Sequence, residues 1–201
     1  LNIILDVIGS KGTLVTNTYS FQTLRYKKNF IYEKTACSSG TFSEILRKKK
    51  NSIRSEHPAF SVSAIGKYKN YICKNNSHHN YGYNSPYQKF IKLNGKILNL
   101  AISPAWNPFL HVSEFKMGVP YYYNKLISTK YFKNKKKIKS KFIASVRYLN
   151  LNLDYDLKHL ENQIFKKKIV KSAKLGKSQI FLFNSNNYIS IALKFLEKDI
   201  L

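Results

Sequence analysis

The chain has 201 residues, enough for one domain with a sizeable core, and at 43% hydrophobic and 14% aromatic it excludes a disordered composition. Lys and Arg number 35 against 10 Asp and Glu, a formal charge of +25, so anionic partners are favoured over cationic ones. No apolar run approaches the roughly 18–20 residues that span a bilayer, which excludes a membrane-spanning helix.

In chain order, Leu1 to Val7 reads as the last turns of a helix, Gly9–Gly12 as a turn, and Thr13 to Tyr19 as a strand rich in Thr, Val and Leu. Phe21 to Lys34 has no clean period and reads as loop. Gly40 to Arg47 carries Phe42, Ile45 and Leu46 at helical spacing, with Glu44 in the first turn and basic residues at the end, as the helix dipole favours. Arg54 to Pro58 reads as loop, because Pro58 disfavours helix at His57. Phe60 to Ile65 reads as a short strand ending at Gly66, and Tyr68 to Cys73 as a short helix.

Ser85-Pro86 is a strong helix start, an N-cap serine with proline at the first helical position. Tyr87, Phe90 and Ile91 mark the buried face. Lys96 to Ala101 reads as a buried strand, Ser103 to Pro108 as a rigid loop, and His111 to Lys116 as a helix stopped by Gly118 and Pro120. Two strands, Val119–Thr129 and Phe142–Leu151, flank a lysine-rich loop, Lys130–Lys141. Tyr155 to Lys171 is helical, Gln179 to Phe183 is a strand, and Asn187 to Ile200 is a last helix. The alternation predicts an α/β fold, with α+β as the alternative: a single layered domain with a mixed central sheet flanked by helices.

Five ordered pieces carry a resemblance. Arg54–Gly66 reads R-S-E-H-P-A-F-S-V-S-A-I-G, Gly82–Pro86 reads G-Y-N-S-P, and Asn94–Leu100 reads N-G-K-I-L-N-L. Leu110–Glu114 reads L-H-V-S-E, and Phe195–Lys198 reads F-L-E-K. In order and approximate spacing these resemble the aminoglycoside 3-N-acetyltransferases, a fold distinct from that of the histone-type N-acetyltransferases. The resemblance implies one domain over residues 1–201, with the family's N-terminal strand, helix and coenzyme-holding loop unmatched here. A second departure is Pro108, which stands where the family often has threonine and which has neither hydroxyl nor N–H.

Acetyl transfer from a thioester to an amine needs a base for the amine, a close thioester and a stabilised oxyanion. His111 is the expected general base, since an unperturbed imidazole titrates near pH ~6.5. Glu114, three residues on and on the same helix face, orients it or receives the acceptor's ammonium. The resemblance implies that Arg54, Ser55 and His57 line a channel for acetyl-coenzyme A, the expected co-substrate, with Arg54 on a phosphate and Ser55 on a pantetheine amide. Ser61 belongs with them, and Ser85 lies at a helix N-terminus suited to an anion.

No metal is expected: the adjacent His78 and His79 point in different directions and no acidic or thiol cluster accompanies them. Cys37 and Cys73 lack metal spacing and are expected as free thiols in a reducing, cytoplasmic compartment. The expected partner is a small amine, an aminoglycoside or amino sugar. The high positive charge opposes a polycationic acceptor and favours a neutral or anionic amino sugar. The alternative is a basic, RNA-binding protein of ribosomal type, for which the lysine runs and tyrosines argue, with non-specific attraction to nucleic acid.

Overall fold

A computed structural model describes residues 1–148, 150–151 and 156–198. In order the chain forms α1 (Asn2–Ile8), β1 (Thr13–Asn17), α2 (Phe21–Arg25), β2 (Phe30–Ile31), α3 (Thr41–Lys48), β3 (Ile53–Arg54), β4 (Val62–Gly66) and α4 (Lys69–Cys73). Next come α5 (Pro86–Lys92), β5 (Lys96–Leu100), α6 (Pro108–Met117), β6 (Tyr122–Ile127), β7 (Tyr131–Lys133), β8 (Lys136–Ile138) and β9 (Phe142–Arg147). The elements α7 (Lys158–Lys166), β10 (Val170–Leu175), β11 (Ser178–Asn184) and α8 (Ser185–Lys198) complete the described chain.

This is the mixed α/β architecture expected, but the described strands are shared among small sheets of two or three strands. Several of these strands are only two or three residues long. The predicted helix start at Tyr155 and the last helix's end at Ile200 lie outside the described residues.

The chain packs as two compact units, one of residues Leu1–Pro86 with Asn124–Ser145, the other of Tyr87–Tyr123 with Val146–Leu201. In the first unit β4 is the middle strand of an antiparallel sheet ordered β1-β4-β3, with Thr13 opposite Gly66 and Ile53 opposite Ala64. Gly66 is required there. Its φ is +118°, and a Cβ would lie 2.2 Å from the Gly12 carbonyl oxygen. The core gathers Phe30, Leu46, Val62, Ala64, Ile72, Tyr131 and Phe142.

Two segments of this unit read as loop are ordered. Phe21–Arg25 is a short helix, whose Thr23 hydroxyl donates to the Ser20 and Pro58 carbonyls. Lys130–Lys141 contains the β7–β8 hairpin, and β7 also pairs in parallel with β2. Lys133 faces Lys136 across a two-residue turn, with Asn134 and Lys135 both at positive φ, the backbone such a turn demands. The lysine run hid the turn, because asparagine is followed by lysine and not by glycine.

In the second unit the antiparallel sheet is ordered β10-β11-β5, with Ile180 opposite both Ala173 and Leu100. Strand β5 alternates exposed and buried residues, so it is half-buried where the sequence predicts full burial. Ile97, Phe181 and Phe183 point inward, and Tyr188, Ile189, Ala192 and Phe195 of α8 are buried. Helices α6 and α8 pack along each other. Helix α6 begins three residues earlier than predicted: the Asn107 side chain accepts from the Phe109 N–H at 2.9 Å, and Pro108 is the first helical residue. At that position a missing N–H costs nothing. Gly118, left-handed at φ 63°, ends the helix.

Candidate active site

Helix α6 places His111 and Glu114 one turn apart, as their spacing predicts. The His111 Nδ1 lies 2.6 Å from Glu114 Oε2. Glu114 is completely buried, whereas 37% of the His111 side chain is exposed. A carboxylate withdrawn from water needs donors. Tyr122 O–H donates to Oε2 at 2.7 Å and Tyr121 O–H donates to Oε1 at 3.0 Å. The Tyr122 oxygen is also 2.8 Å from His111 Nδ1. The carboxylate therefore holds the imidazole proton on Nδ1, which leaves the Nε2 lone pair as the basic site. Both tyrosines follow the helix stop at Gly118-Val119-Pro120. They escaped the sequence reading because Y-Y-Y there looks like an ordinary strand start. The signal was a pair of hydroxyls soon after a histidine–glutamate pair whose charge needed company.

In the first unit, Arg54, Ser55 and His57 share the lining of a cavity of about 430 Å³ with Lys74, Asn76, His78, Asn80 and Lys133, among others. Arg54 is turned inward. Its Nε donates to Ser61 Oγ at 2.8 Å, Nη1 to the Thr35 carbonyl at 2.6 Å, and Nη2 to the Thr18 carbonyl and Ser20 Oγ at 2.9 and 2.8 Å. The guanidinium also lies 4.8 Å from the centre of the Phe30 ring. Burial lowers its pKa to about 10, so it stays charged at neutral pH. Its fork is occupied by protein acceptors and it ties four segments together.

His57 is likewise structural. Its Nδ1 accepts from the Ala59 and Phe60 N–H groups at 3.3 and 3.0 Å, so the proton sits on Nε2, which donates to the Ile143 carbonyl at 3.1 Å. Burial lowers its pKa to about 4 and keeps it neutral. His79 repeats the device: its Nδ1 accepts from Tyr81 and Gly82 at 3.2 and 3.0 Å, and its Nε2 reaches Asn124 Oδ1 at 3.0 Å. Both imidazoles cap a turn that would otherwise bury two N–H groups unpaired.

Ser55 Oγ accepts from the Val62 N–H at 2.9 Å and Ser61 Oγ donates to the Thr18 carbonyl at 2.7 Å, both side chains being buried. Ser85 is buried just before α5, and its N–H donates to the Gly82 carbonyl at 3.0 Å. The cavity's remaining polar capacity comes from residues that carried no motif. Both side-chain polar atoms of Asn76 and the Asn80 amide nitrogen are buried without a hydrogen-bond partner among the described residues. Cys37 and Cys73 are free thiols.

The fold is shared with solved structures of aminoglycoside acetyltransferases. The crystal structure of the aminoglycoside acetyltransferase AAC(3)-Xa superposes with a TM-score of 0.82 at 17% identity, over 97% of this chain and 78% of that one. The AAC-VIa structure with bound sisomicin gives 0.82 at 16% identity, over 98% and 83%. AAC-IIIb in its binary complex with CoASH gives 0.80 at 17%, over 96% and 80%. No curated protein sequence matches the chain. The profile of the aminoglycoside 3-N-acetyltransferase family matches residues 1–197, and the chain belongs to that family.

Proposed function

We propose that the protein transfers an acetyl group directly from acetyl-coenzyme A to an amino group of an aminoglycoside or amino sugar. The observation that carries this reading is His111 held through Nδ1 by the buried Glu114. The acceptor nitrogen attacks the thioester carbonyl while His111 Nε2 takes its proton. The C–N bond forms, the C–S bond breaks, and the coenzyme leaves as a thiolate that collects a proton. Glu114 stabilises the resulting imidazolium, and Tyr121 and Tyr122 keep that carboxylate in place.

The first unit's cavity is suited to the coenzyme. A pantetheine arm carries two amides, and Asn76 and Asn80 line the cavity with amide atoms that lack partners among the described residues. Lys74 supplies charge for a phosphate, while Lys133 is already paired with the Glu56 carboxylate in the same lining. Ser55 shapes the wall, while Arg54, His57 and Ser61 contribute by fixing it. Ser85 acts as the lead-in to α5.

Among acceptors, we propose a preference for those of low positive charge, which the +25 net charge and the enclosed Glu114 support. The test is acetyl transfer from acetyl-coenzyme A to a panel of aminoglycosides and of neutral or nucleotide-linked amino sugars. Activity with either class that is lost in His111→Gln supports the base. Undiminished turnover by His111→Gln defeats it, and turnover confined to aminoglycosides defeats the acceptor preference.

A further inference from the structure

We propose that the outward face of the β10–β11–β5 sheet docks the protein on anionic lipid bilayers. The strand register assigns its residues. Leu98, Leu182 and Lys171 form one row across the three strands, and Leu100, Ile180 and Ala173 form the next. Lys96 precedes them on the same face of β5, and Leu175 ends β10 beside the Gly176–Lys177 turn. Leu98, Leu100 and Leu175 are 38%, 42% and 62% exposed, although the opposite face of the same strands buries Ile97, Phe181 and Phe183. An alternating strand ordinarily turns polar residues outward. Here β5 and β11 are apolar on both faces.

The charged side chains that the register puts on this face are lysines: Lys96 on β5 and Lys171 on β10, with Lys177 in the turn between β10 and β11. Strand β10 is an edge strand, exposed at every residue from Lys171 to Leu175. The occupant must therefore accept aliphatic side chains and the neighbouring ammonium groups of Lys96, Lys171 and Lys177 together. A second copy would bring lysines against lysines. A nucleic acid would satisfy the lysines and leave the leucines against phosphate and water, with no aromatic ring on this face to stack on bases. A bilayer carrying anionic headgroups meets both demands: acyl chains receive the leucines, and the headgroups receive the lysines.

The experiment is co-sedimentation of the full chain with vesicles of phosphatidylcholine alone and of phosphatidylcholine mixed with phosphatidylglycerol. Binding is expected to the mixed vesicles only, falling as salt rises. The double variant Lys171→Glu/Lys177→Glu should weaken it about tenfold or more. Leu98→Gln/Leu100→Gln should weaken it at salt concentrations where the parent still binds. Lys135→Glu/Lys136→Glu, on the β7–β8 hairpin, should leave it nearly unchanged. Melting curves establish that each variant is folded. Equal loss from the hairpin variant means diffuse charge attraction and overturns the proposal. So does binding to single-stranded RNA or to an acidic protein, lost in Lys171→Glu/Lys177→Glu, without binding to vesicles.

Discussion

Tyr122 touches both His111 and Glu114 of the proposed site, so its hydroxyl is worth more than one hydrogen bond on a surface. In Tyr122→Phe the carboxylate keeps Tyr121 and His111 but loses a donor in a place without water, and the imidazole loses a neighbour at 2.8 Å. Under the proposed mechanism, kcat should fall about tenfold with KM for the acceptor unchanged, whereas His111→Gln should cost about 10²–10⁴-fold. Steady-state rates of both variants decide it; a Tyr122→Phe enzyme that changes only KM would place the hydroxyl on substrate instead. His57 makes a different prediction. Its native pKa of about 4 lies below the ordinary imidazole value of 6.5, so above pH 6.5 neither folded nor unfolded chain binds the proton. Between 6.5 and 4 the unfolded chain binds it and the folded chain does not, so stability falls as pH falls. That gap corresponds to about 3 kcal/mol. Urea midpoints measured across this range should drop less steeply in His57→Gln than in the parent, though the variant starts lower because the turn loses its cap.

At the scale of elements, the two ends of α6 and the β1–β4 pairing show which local features hold the units together. Asn107→Ala removes the side-chain acceptor for the Phe109 N–H and should cost about 1 kcal/mol, read as a lowered denaturant midpoint. Gly66→Ala should cost more, because the left-handed backbone and the Gly12 carbonyl oppose a Cβ at once; the expected loss is about 2–4 kcal/mol in the same measurement. The sequence disclosed elements wherever a periodic face met punctuation: α3, α5 and α8 stand close to their predicted positions. It hid β8 and β10, whose lysines conceal both alternation and turns, since a strand at a sheet edge pairs through its backbone whatever its side chains are, and it hid β7, which is only three residues long. The site was legible to a similar degree. His111 and Glu114 met because i,i+3 geometry is local. The inward turn of Arg54 was not legible, because its acceptors on Thr18, Ser20, Thr35 and Ser61 are brought to it only by tertiary packing.

For the molecule as a whole, the net charge of +25 decides how it meets its substrates. Coenzyme A is a polyanion, so the field draws it in and screening weakens the attraction. An acceptor with several ammonium groups is repelled within a Debye length of ~8–10 Å at physiological salt, and a neutral amino sugar is nearly indifferent. The proposed reaction therefore has opposite salt responses for its two substrates. Raising ionic strength should raise KM for acetyl-coenzyme A, lower KM for a multiply charged aminoglycoside, and leave KM for a singly charged amino sugar almost flat. Coenzyme A should also raise the melting temperature, with a stabilisation near 2.7 kcal/mol at a free concentration about 100 times its Kd, because it binds the folded state alone. If the aminoglycoside's KM rises with salt, a local carboxylate outweighs the global field. Within the second unit's described residues, Glu114 is enclosed by Tyr121, Tyr122 and His111, so that result would direct the search to acidic side chains of other segments.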